Sequence, residues 1–579
     1  MLRWLVKGLV VLVAFPGVVG ATTLTILHNN DGESRLLAQA GAEGVGSLPA
    51  FVAALRAARA VAGQTSDAVI TVSSGDNVLP GPVFQAALDR AAADGEHYFD
   101  ARALSLIGYD AIGIGNHDFD FGPAFLAEFV PQVTRGDDGA PVPYLSANLA
   151  FDEASPLGPL AATERIVPSA VIEVGDVRVG IVGGVTEDLP RISSPGEGIE
   201  VLPLVASLQA EIDRVQAAGI DKIVVISHAQ SLRFDLETII PQLSGVDVYV
   251  AGGGDELLTV ASRLDAEGND PFGQESFGTY PQRTSGADGR PVVVVTTPGE
   301  YKYVGMLTVE FDDTGEVVGA TGGVLLTDPA VFGVADDAEM LLAEVEEAVE
   351  VFAAKPIGVS EVPLNGERQD VRTRQTNLGS LVADALGAQV RAELGDLVTN
   401  PLVAFQNGGG IRNNNRLLED ASIDAPLTFS ELQAFDAVPF PNFAALIPAM
   451  DTASLRDTLE HGLSGIEETR GQFLQVSGLT FRAELDRPVG ERVREVALAD
   501  GTELVVDGEI VTEMLVDVAT VDFLAKGGDG FDTFAERSFH RGTASQQQAL
   551  ARFVRDDLGG RITEALYPEG ATDRIMIQE

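Results

Sequence analysis

Cysteine is absent from this 579-residue chain, and its absence removes several kinds of chemistry. No disulfide can stabilise the fold, no thiolate can bind a metal ion, and no cysteine can act as a nucleophile. Histidine is also scarce, with six residues in the whole chain, which argues against a nitrogen-rich zinc centre. Catalytic or metal-binding chemistry must therefore rely on oxygen ligands and a few imidazoles.

Basic residues are few compared with acidic ones. Lys and Arg total 38 against 86 Asp and Glu, so the formal net charge is -48. An acidic surface of this kind repels phosphate backbones and anionic lipids, which argues against nucleic acid as a partner. A small phosphate-bearing ligand is still compatible if metal ions and a few arginines reverse the field locally. We therefore expect a small-molecule ligand, whereas the oligomeric state is not determined by the sequence.

Long apolar runs are confined to the N terminus. Residues 1–21, MLRWLVKGLVVLVAFPGVVGA, place Arg3 and Lys7 before an apolar stretch that ends in small residues, as is typical of a secretory signal peptide. The apolar run from Gly8 to Val19 is shorter than the ~20 residues of a spanning helix, so an uncleaved anchor is the weaker interpretation. We expect cleavage after Ala21, no stable membrane anchor afterwards, and a periplasmic or secreted protein.

The rest of the chain predicts two α/β domains joined by a helix. From residue 22 to 330, apolar β-rich runs such as LTILH, AVITVSS and KIVVISH alternate with helical stretches, which predicts an α/β domain. Residues 331–356 form the predicted linker, because Asp336 to Ala354 has helical spacing, an acidic first turn and a following Pro356. Residues 357–579 predict a second α/β domain with its own Gly-rich turns, NGGGIRNNN and KGGDGF.

Polar side chains follow the apolar runs of the first domain at four places. In α/β sheets the loops beyond the carboxyl ends of strands hold ligands. Each motif alone is more often a turn or a cap than a ligand, so the predicted site depends on their occurring together. The residues are Asp31 and Glu33 in NNDGES, Asp76 in SSGDN, Asn116, His117 and Asp120 in GNHDFD, and His228 in VVISHAQ.

In this order and spacing, the four motifs resemble the calcineurin-like metallophosphoesterases and, more closely, the 5'-nucleotidase family, whose bacterial members include periplasmic UDP-sugar hydrolases. The resemblance implies a four-layer αββα first domain, a β-sandwich flanked by helices, that holds two divalent metal ions. It implies that Asp31 and Asp76 bind one ion, that Asp76 bridges to the second, and that Asn116 and His228 complete the second. Paired divalent ions activate water and compensate the charge of a transferring phosphoryl group.

The same resemblance implies a catalytic pair. His117, polarised by Asp120, would stabilise the transferring phosphoryl group or protonate the leaving oxygen. His28 precedes the first metal loop, and for it we expect a structural role.

The chain departs from the family pattern at two metal motifs. The usual Asp-x-His reads Asp31-Gly32-Glu33, and the usual Gly-Gly-His-x-(His or Gln) reads GGGDE over residues 252–256. We expect Glu33, Asp255 and Glu256 to serve as carboxylate ligands, and such ligands favour Mn, Mg, Ca or Fe over Zn. The alternative is that one ion is bound weakly or lost and that the protein is a nucleotide-binding module.

Four motifs of the second half resemble the nucleotide-binding C-terminal domain of the same family: RQTNLGSLVADAL, FQNGGGIR, VPFPN and DFLAKGGDGF. Arginine forks pair with phosphate, and aromatic faces stack on nucleobases; for each phenylalanine alone, core packing is the alternative. The implied roles are phosphate contact by Arg374 and Arg412 with Arg372 as a second candidate, base-edge contact by Asn407, base stacking by Phe440 and Phe523, and ribose contact by Asp529.

These patterns together predict an exported, metal-dependent phosphoesterase that hydrolyses 5'-nucleotides to nucleosides and phosphate with metal-activated water. Three other specificities stay open within the enzyme class: a UDP-sugar phosphodiesterase, a cyclic-nucleotide phosphodiesterase and a broad alkaline phosphatase. From a different class, the alternative is a nucleotide-binding protein with a decayed metal site.

Overall fold

The structure is a computed structural model. It describes residues 21–38, 43–95, 97–135, 139–196, 198–259, 264, 269–412, 414–440 and 442–578, so the signal peptide expected at residues 1–21 lies outside the described part except for Ala21. Among the described residues, no helix combines the length and apolarity needed to cross a membrane. The chain divides into two compact units, residues 1–349 (unit 1) and 350–579 (unit 2).

Unit 1 is built on two large β-sheets. Its strands in chain order are β1 (Thr22–Asn29), β2 (Ala68–Ser73), β3 (Ala111–Gly113), β4 (Thr134–Arg135), β5 (Ala140–Pro141), β6 (Tyr144–Leu145), β7 (Leu149–Phe151), β8 (Ile166–Val167), β9 (Ser169–Val174), β10 (Val177–Val185), β11 (Ile199–Val201), β12 (Ile223–His228), β13 (Val248–Ala251), β14 (Leu257–Leu258), β15 (Ser276–Gly278), β16 (Gln282–Ser285), β17 (Pro291–Val295), β18 (Tyr303–Phe311) and β19 (Val317–Leu326).

The first sheet has the order β19-β18-β1-β2-β3-β6-β8, and the second has the order β16-β17-β13-β12-β10-β9. Strands β1, β2, β3, β6 and β8 run parallel, as do β10, β12, β13 and β17, with antiparallel strands at the edges. Parallel strands bring their carboxyl ends to one edge of a sheet. The polar residues that follow β1, β2 and β3 are thereby collected at one edge of the first sheet, whereas β12 belongs to the second sheet.

Helices cover the outer faces of both sheets. They are α1 (Leu48–Thr65), α2 (Pro82–Asp94), α3 (Phe99–Ile107), α4 (Gly122–Phe129), α5 (Gly158–Ala162), α6 (Leu189–Ile192), α7 (Leu204–Ala217), α8 (Leu232–Phe234), α9 (Pro329–Phe332) and α10 (Asp336–Ala354). Short 3-10 or π turns lie at His117–Phe119, Val130–Gln132, Asp235–Ile239 and Ile240–Gln242.

Side-chain alternation along β1 explains the layers, because successive residues of a strand point to opposite faces. Leu24 and Ile26 pack in the core shared with the second sheet, whereas Leu27 packs with Phe51 of α1 and Leu104 of α3 on the other face. Helix α7 packs on β10 of the second sheet. The predicted helix-sheet-sheet-helix arrangement of the first domain is therefore confirmed.

Unit 2 contains smaller sheets. Its strands are β20 (Pro356–Ser360), β21 (Leu364–Asn365), β22 (Leu402–Asn407), β23 (Arg416–Leu417), β24 (Leu427–Ser430), β25 (Phe443–Asp451), β26 (Leu474–Ser477), β27 (Leu479–Glu484), β28 (Val493–Leu498), β29 (Glu503–Val506), β30 (Glu509–Ile510), β31 (Leu515–Val521), β32 (His540–Ser545), β33 (Arg561–Ile562) and β34 (Ile575–Gln578). They form sheets of order β26-β22-β31-β25-β32, β30-β29-β28-β27-β34, β24-β20-β33 and β21-β23.

The helices of unit 2 are α11 (Arg368–Val371), α12 (Asn377–Leu394), α13 (Glu431–Ala437), α14 (Thr452–Leu463), α15 (Asp522–Ala525), α16 (Asp532–Ala535) and α17 (Gln546–Arg552). Short turns lie at Gly395–Leu397, Gly408–Gly410, Gly528–Gly530 and Phe553–Asp557. Helix α12 joins two cores: Leu386 and Val390 pack with β22, and Leu381 and Val382 pack with α17. The second unit is thus also α/β, as expected.

The helix expected to connect the domains is present as α10, over Asp336–Ala354. Its first part is buried in unit 1, where Ala338, Leu341 and Val345 pack in the helix-covered core. The division between the units falls inside this helix, after Val349. Domain limits at residues 330 and 357 stay a prediction.

Candidate active site

Two loops at the carboxyl ends of β1 and β2 are joined side by side. These strands are parallel neighbours, with Asn29 opposite Ser73, so the residues that follow them meet. Asp31 N donates to Gly75 O at 3.0 Å, and Glu33 N donates to Asp76 O at 3.0 Å. Asp31, Glu33 and Asp76 all have left-handed backbone, with φ of 51°, 52° and 51°. The hydrogen bonds between the two loops therefore fix the backbone positions of Asp31, Glu33 and Asp76.

His228 enters from the second sheet, at the last position of β12. Its Nε2 lies 2.8 Å from Asp76 Oδ2 and 3.9 Å from Asp31 Oδ1. The three residues are buried, and one ligand atom from each lies within 4.8 Å of the others. This group can hold a metal ion, and it joins residues 45 and 152 positions apart in the sequence, from Asp31 to Asp76 and from Asp76 to His228.

The hydrogen bonds of His228 test whether a cation fits. Nδ1 lies 2.7 Å from the carbonyl oxygen of Ser74, which can only accept, so Nδ1 donates a proton to it and Nε2 is left to face Asp76. Nε2 has no partner with hydrogen-bond geometry among the described residues, although Asp76 Oδ2 is 2.8 Å away. Either a proton or a metal ion must lie between this nitrogen and the carboxylate, and a neutral imidazole with two carboxylates is a donor set that fits a divalent metal ion.

The pKa values of His228 and Asp31 also indicate that the group attracts positive charge. Burial alone would lower the pKa of His228, but Asp76 more than offsets this and the pKa is raised to about 10. Burial raises the pKa of Asp31 to about 6. Both shifts describe a buried cluster that attracts positive charge.

The three carboxylates that depart from the family pattern, Glu33, Asp255 and Glu256, make different contacts near this group. Burial, and then the charges of Asp31, Asp255 and Asp76, raise the pKa of Glu33 to about 8. Asp255 is exposed and accepts from Gly299 N at 2.9 Å, and a Cβ on Gly299 would lie 2.9 Å from both Asp255 Oδ1 and Asp31 Cβ. Glu256 instead accepts from Leu232 N at 3.0 Å. Burial, and then the charges of Asp255 and Asp31, raise the pKa of Glu256, so all three carboxylates interact with the acidic residues of this group.

Asn116 is linked to the group through its neighbours. It caps the turn His117–Phe119, and the next residue, His117, donates its backbone N–H to Asp76 Oδ1 at 2.8 Å. The side-chain oxygen of Asn116 accepts from Gln230 Nε2. Gln230 was missed by the sequence reasoning; its position two residues after His228 was the available signal.

His117 and Asp120 form a hydrogen-bonded pair. Nδ1 of His117 donates to Asp120 Oδ2 at 2.7 Å, and Asp120 Oδ1 accepts from Ser193 Oγ at 2.9 Å. Burial would lower the pKa of His117, but Asp120 and Asp76 raise it well above its ordinary value. These two carboxylates therefore favour the charged form of the imidazole, in which Nε2 is also a donor. Ser193 gave no signal in the sequence, because only the fold brings it to Asp120.

His28 is structural, as expected. Its ring is buried, Nε2 lies 2.8 Å from the Tyr280 hydroxyl, and the two rings stack at 5.9 Å.

In unit 2, residues from β22 and from the segment after β31 meet. Asn407, the last residue of β22, donates Nδ2 to Asp529 Oδ2 at 2.6 Å. The Phe523 ring covers Gly528, where a Cβ would lie 2.5 Å from the ring. Phe523 is 41% exposed, so it is not a core residue. An amide, a carboxylate and an aromatic face are thus neighbours at this end of the sheet.

Arg412 and Phe440 lie beside the same glycine-rich turn. The guanidinium is 4.9 Å from the centre of the Phe440 ring, and its Nε donates to Gly409 O at 2.6 Å. Phe440 is 37% exposed. Asn407 precedes the turn and Arg412 follows it, so the turn brings the two candidate contacts together.

The structure separates the two remaining arginine candidates. Arg374 forms an ion pair with Asp370 at 2.5 Å, and its side chain is 59% exposed. Arg372 is buried and interacts electrostatically with Arg412 and Asp529. The contacts place Arg372, rather than Arg374, with the other nucleoside-pocket candidates.

These features define a class of protein: an α/β sandwich with a carboxylate-imidazole metal site, followed by a unit that groups exposed aromatic and polar residues. Residues 356–536 match the family model "5'-nucleotidase, C-terminal domain".

Curated relatives align over most of the chain. Snake venom 5'-nucleotidase of Naja atra is 30% identical over 530 residues, covering 88% of this chain and 92% of the relative. Human 5'-nucleotidase is 28% identical, covering 91% and 87%. The crystal structure of a 5'-nucleotidase precursor from Thermus thermophilus is 29% identical with a TM-score of 0.61, covering 96% and 99%. The chain belongs to the 5'-nucleotidase family.

Proposed function

We propose that this chain is an exported, metal-dependent phosphoesterase that hydrolyses 5'-nucleotides to nucleosides and phosphate. The observation that carries the proposal is the convergence of Asp31, Asp76 and His228 from two sheets on one point, with His228 Nε2 2.8 Å from Asp76 Oδ2. Membership of the 5'-nucleotidase family and the names of its relatives support the substrate class.

Asp31, Asp76 and His228 would hold divalent ions, with Asn116, Glu33, Asp255 and Glu256 as further ligands, and Asp76 as the bridge of a two-ion site. When bound, such ions supply an activated water and compensate charge on phosphorus. Because the candidate ligands are mostly carboxylates, we propose Mn, Mg, Ca or Fe in preference to Zn.

His117 is proposed as the proton donor. As the oxygen of water bonds to phosphorus, the bond from phosphorus to the 5' oxygen breaks, and the departing oxygen takes a proton from His117 Nε2. The proton that the attacking water loses passes to solvent, and solvent returns a proton to His117. Asp120 keeps the imidazole charged and oriented through Nδ1, and Ser193 orients Asp120. Positioned general acids contribute about 10²–10⁴-fold to rate.

Unit 2 is proposed to recognise the nucleoside. Phe440 and Phe523 offer exposed rings for stacking on the base, Asn407 offers an amide to the base edge, and Asp529 offers a carboxylate to the ribose hydroxyls. Arg412, Arg374 and Arg372 are the candidate phosphate contacts. The ion pair of Arg374 with Asp370 leads us to rank Arg372 above Arg374.

The test is reactivation of chelated protein. After removal of ions with EDTA, we would add Mn, Mg, Ca, Fe or Zn and measure phosphate release from AMP, UDP-glucose, a 2',3'-cyclic nucleotide and an aryl phosphate. We expect turnover of AMP with the harder ions and its loss in Asp76→Asn. The matched control is Asp176→Asn, an exposed acid in the turn between β9 and β10.

If no phosphate ester is cleaved with any ion while adenosine still binds, the protein is a nucleotide-binding module and the proposed activity is wrong. Export has a separate test. Trp4 is the only tryptophan of the chain, so protein recovered outside the cytoplasm should show no indole emission if the signal peptide is removed.

A further inference from the structure

The loop that carries Asp529 has an unusual backbone. Gly527 has φ 91° and ψ 15°, Asp529 has φ 53° and ψ 20°, and Gly530 has φ 81°. Aspartate visits this left-handed region more readily than most residues, but the region is still unfavourable for a residue with a Cβ. Asp529 is also exposed, so burial does not hold it. Contacts from outside the loop can offset the cost of this conformation.

His461 supplies such a contact from the last turn of α14. Its Nε2 lies 2.9 Å from the backbone carbonyl of Asp529. Because a carbonyl only accepts, Nε2 carries the proton. The imidazole is edge-on to Phe531, with 4.6 Å between ring centres and an angle of 74°. A Cβ on Gly530 would lie 3.2 Å from the same ring, so the imidazole packs closely on the loop.

The carboxylate of Asp529 depends on this backbone for its position. Oδ2 accepts from Asn407 Nδ2 at 2.6 Å, and a Cβ on Gly471 would lie 3.2 Å from it. The Asp529 carboxylate therefore lies between the side-chain amide of Asn407 and the backbone of Gly471. A change in φ at Asp529 would swing the carboxylate away from both. Thr458, one turn before His461, anchors the following segment through Thr533 at 2.7 Å without contacting Asp529 itself.

We propose that His461 is a positioning residue for ribose recognition. It does not touch the nucleotide, and it holds Asp529 in the left-handed conformation that aims the carboxylate at the vicinal hydroxyls. The inference rests on the proposed nucleoside role of unit 2 and adds a residue to which the sequence motifs assigned no role.

The test compares AMP with 2',3'-dideoxy-AMP, which lacks both hydroxyls. Asp529 raises kcat/KM for AMP over the dideoxy analogue, and a charge-assisted hydrogen bond accounts for about ten- to hundredfold. In His461→Ala we expect this preference to fall to less than about threefold, through a higher KM for AMP with kcat nearly unchanged. His461→Gln, whose Nε2 can reach the same carbonyl, should restore most of the preference. His540→Ala, an exposed histidine of β32, should behave like the unaltered protein.

A double-mutant comparison separates positioning from general damage. In an Asp529→Asn background, His461→Ala should add little further loss of the preference, because the carboxylate it positions is already gone. The inference is overturned if His461→Ala keeps the preference, or if it lowers kcat equally for both substrates together with the melting temperature. Binding of adenosine and dideoxyadenosine by calorimetry gives the same comparison without turnover. A protein whose preference for adenosine over dideoxyadenosine depends on Asp529 and His461, but that does not hydrolyse AMP, would contradict the proposed function and support this inference.

Discussion

The substitution Gly115→Ala tests how precisely the candidate metal centre must be positioned. A Cβ at this position would lie 2.0 Å from Asp76 Oδ1 and 2.6 Å from Asp76 Cγ. The same Cβ would lie 2.6 Å from the backbone nitrogen of Asp76, and contacts under 3.0 Å are essentially never made by real Cβ atoms. In Gly115→Ala both the backbone and the carboxylate of Asp76 must therefore shift, the carboxylate by about 1 Å. A misplacement of about 1 Å in a reacting geometry can cost about 100-fold in rate. We therefore expect kcat/KM for AMP to fall by at least about 100-fold.

The backbone of Gly115 is not in the left-handed region, so the cost of alanine is the displacement of Asp76 and not an unfavourable φ at residue 115. Overpacking costs about 1–3 kcal/mol, which a domain of this size tolerates, and the protein should still fold. The matched control is Gly63→Ala in α1, where a Cβ meets nothing within 4 Å. This control should gain up to about 1 kcal/mol of stability because alanine is the better helix former.

The assay is phosphate release from AMP with the best ion added back, together with ion content per chain and the melting temperature of each variant. Gly115→Ala should be folded, inactive and low in bound ion, whereas Gly63→Ala should be fully active. If Gly115→Ala were folded and within threefold of the unaltered protein, Asp76 could not be the precisely held ligand described above.

Three further predictions concern other parts of the molecule. His117→Asn should lower kcat for AMP by about 10²–10⁴-fold while ion content, measured by mass spectrometry, is unchanged; an equal loss of ion would contradict the proton-donor role. Phe523→Ala should raise KM for AMP by about 5- to 100-fold, since stacking contributes about 1–3 kcal/mol, and leave an aryl phosphate unaffected; a parallel loss for both substrates would argue against stacking. Burial raises the pKa of Asp247 from 3.8 to about 7, so its stabilising contribution is complete below about pH 4 and is lost as the pH rises to about 7. Asp247→Asn should therefore match the unaltered protein at pH 4 and exceed it at pH 8 by an amount on the order of 1–4 kcal/mol in urea unfolding; a constant difference across this range would refute the shift.

Strand periodicity predicted much of the fold, and the resemblance to a known family supplied the candidate metal ligands. The runs LTILH, AVITVSS and KIVVISH became β1, β2 and β12, and the loops after β1 and β2 meet because parallel neighbours align their carboxyl ends. Periodicity does not predict which distant loops contact one another. Ser193 reaches Asp120 and Gln230 reaches Asn116 only through the packing of one sheet on the other.

The choice between Arg372 and Arg374 shows a second limit. The two residues are neighbours on one turn, and a motif cannot say which of them faces the pocket. Asp370, four residues before Arg374, forms an ion pair with that arginine. Pairing at this spacing is common, so the ion pair of Arg374 with Asp370 could have been predicted from the sequence.

Acidic residues of the candidate metal centre share a costly backbone. Asp31, Glu33, Asp76 and Asp255 all have positive φ, and their negative charges are crowded together. Folding the bare chain must therefore meet both a conformational cost and mutual repulsion, which a bound cation relieves in proportion to its free concentration. The concentration of free divalent cations in the surrounding solution would then set how long the folded chain resists unfolding and proteolysis, since a chain without cysteine has no disulfide to stabilise it.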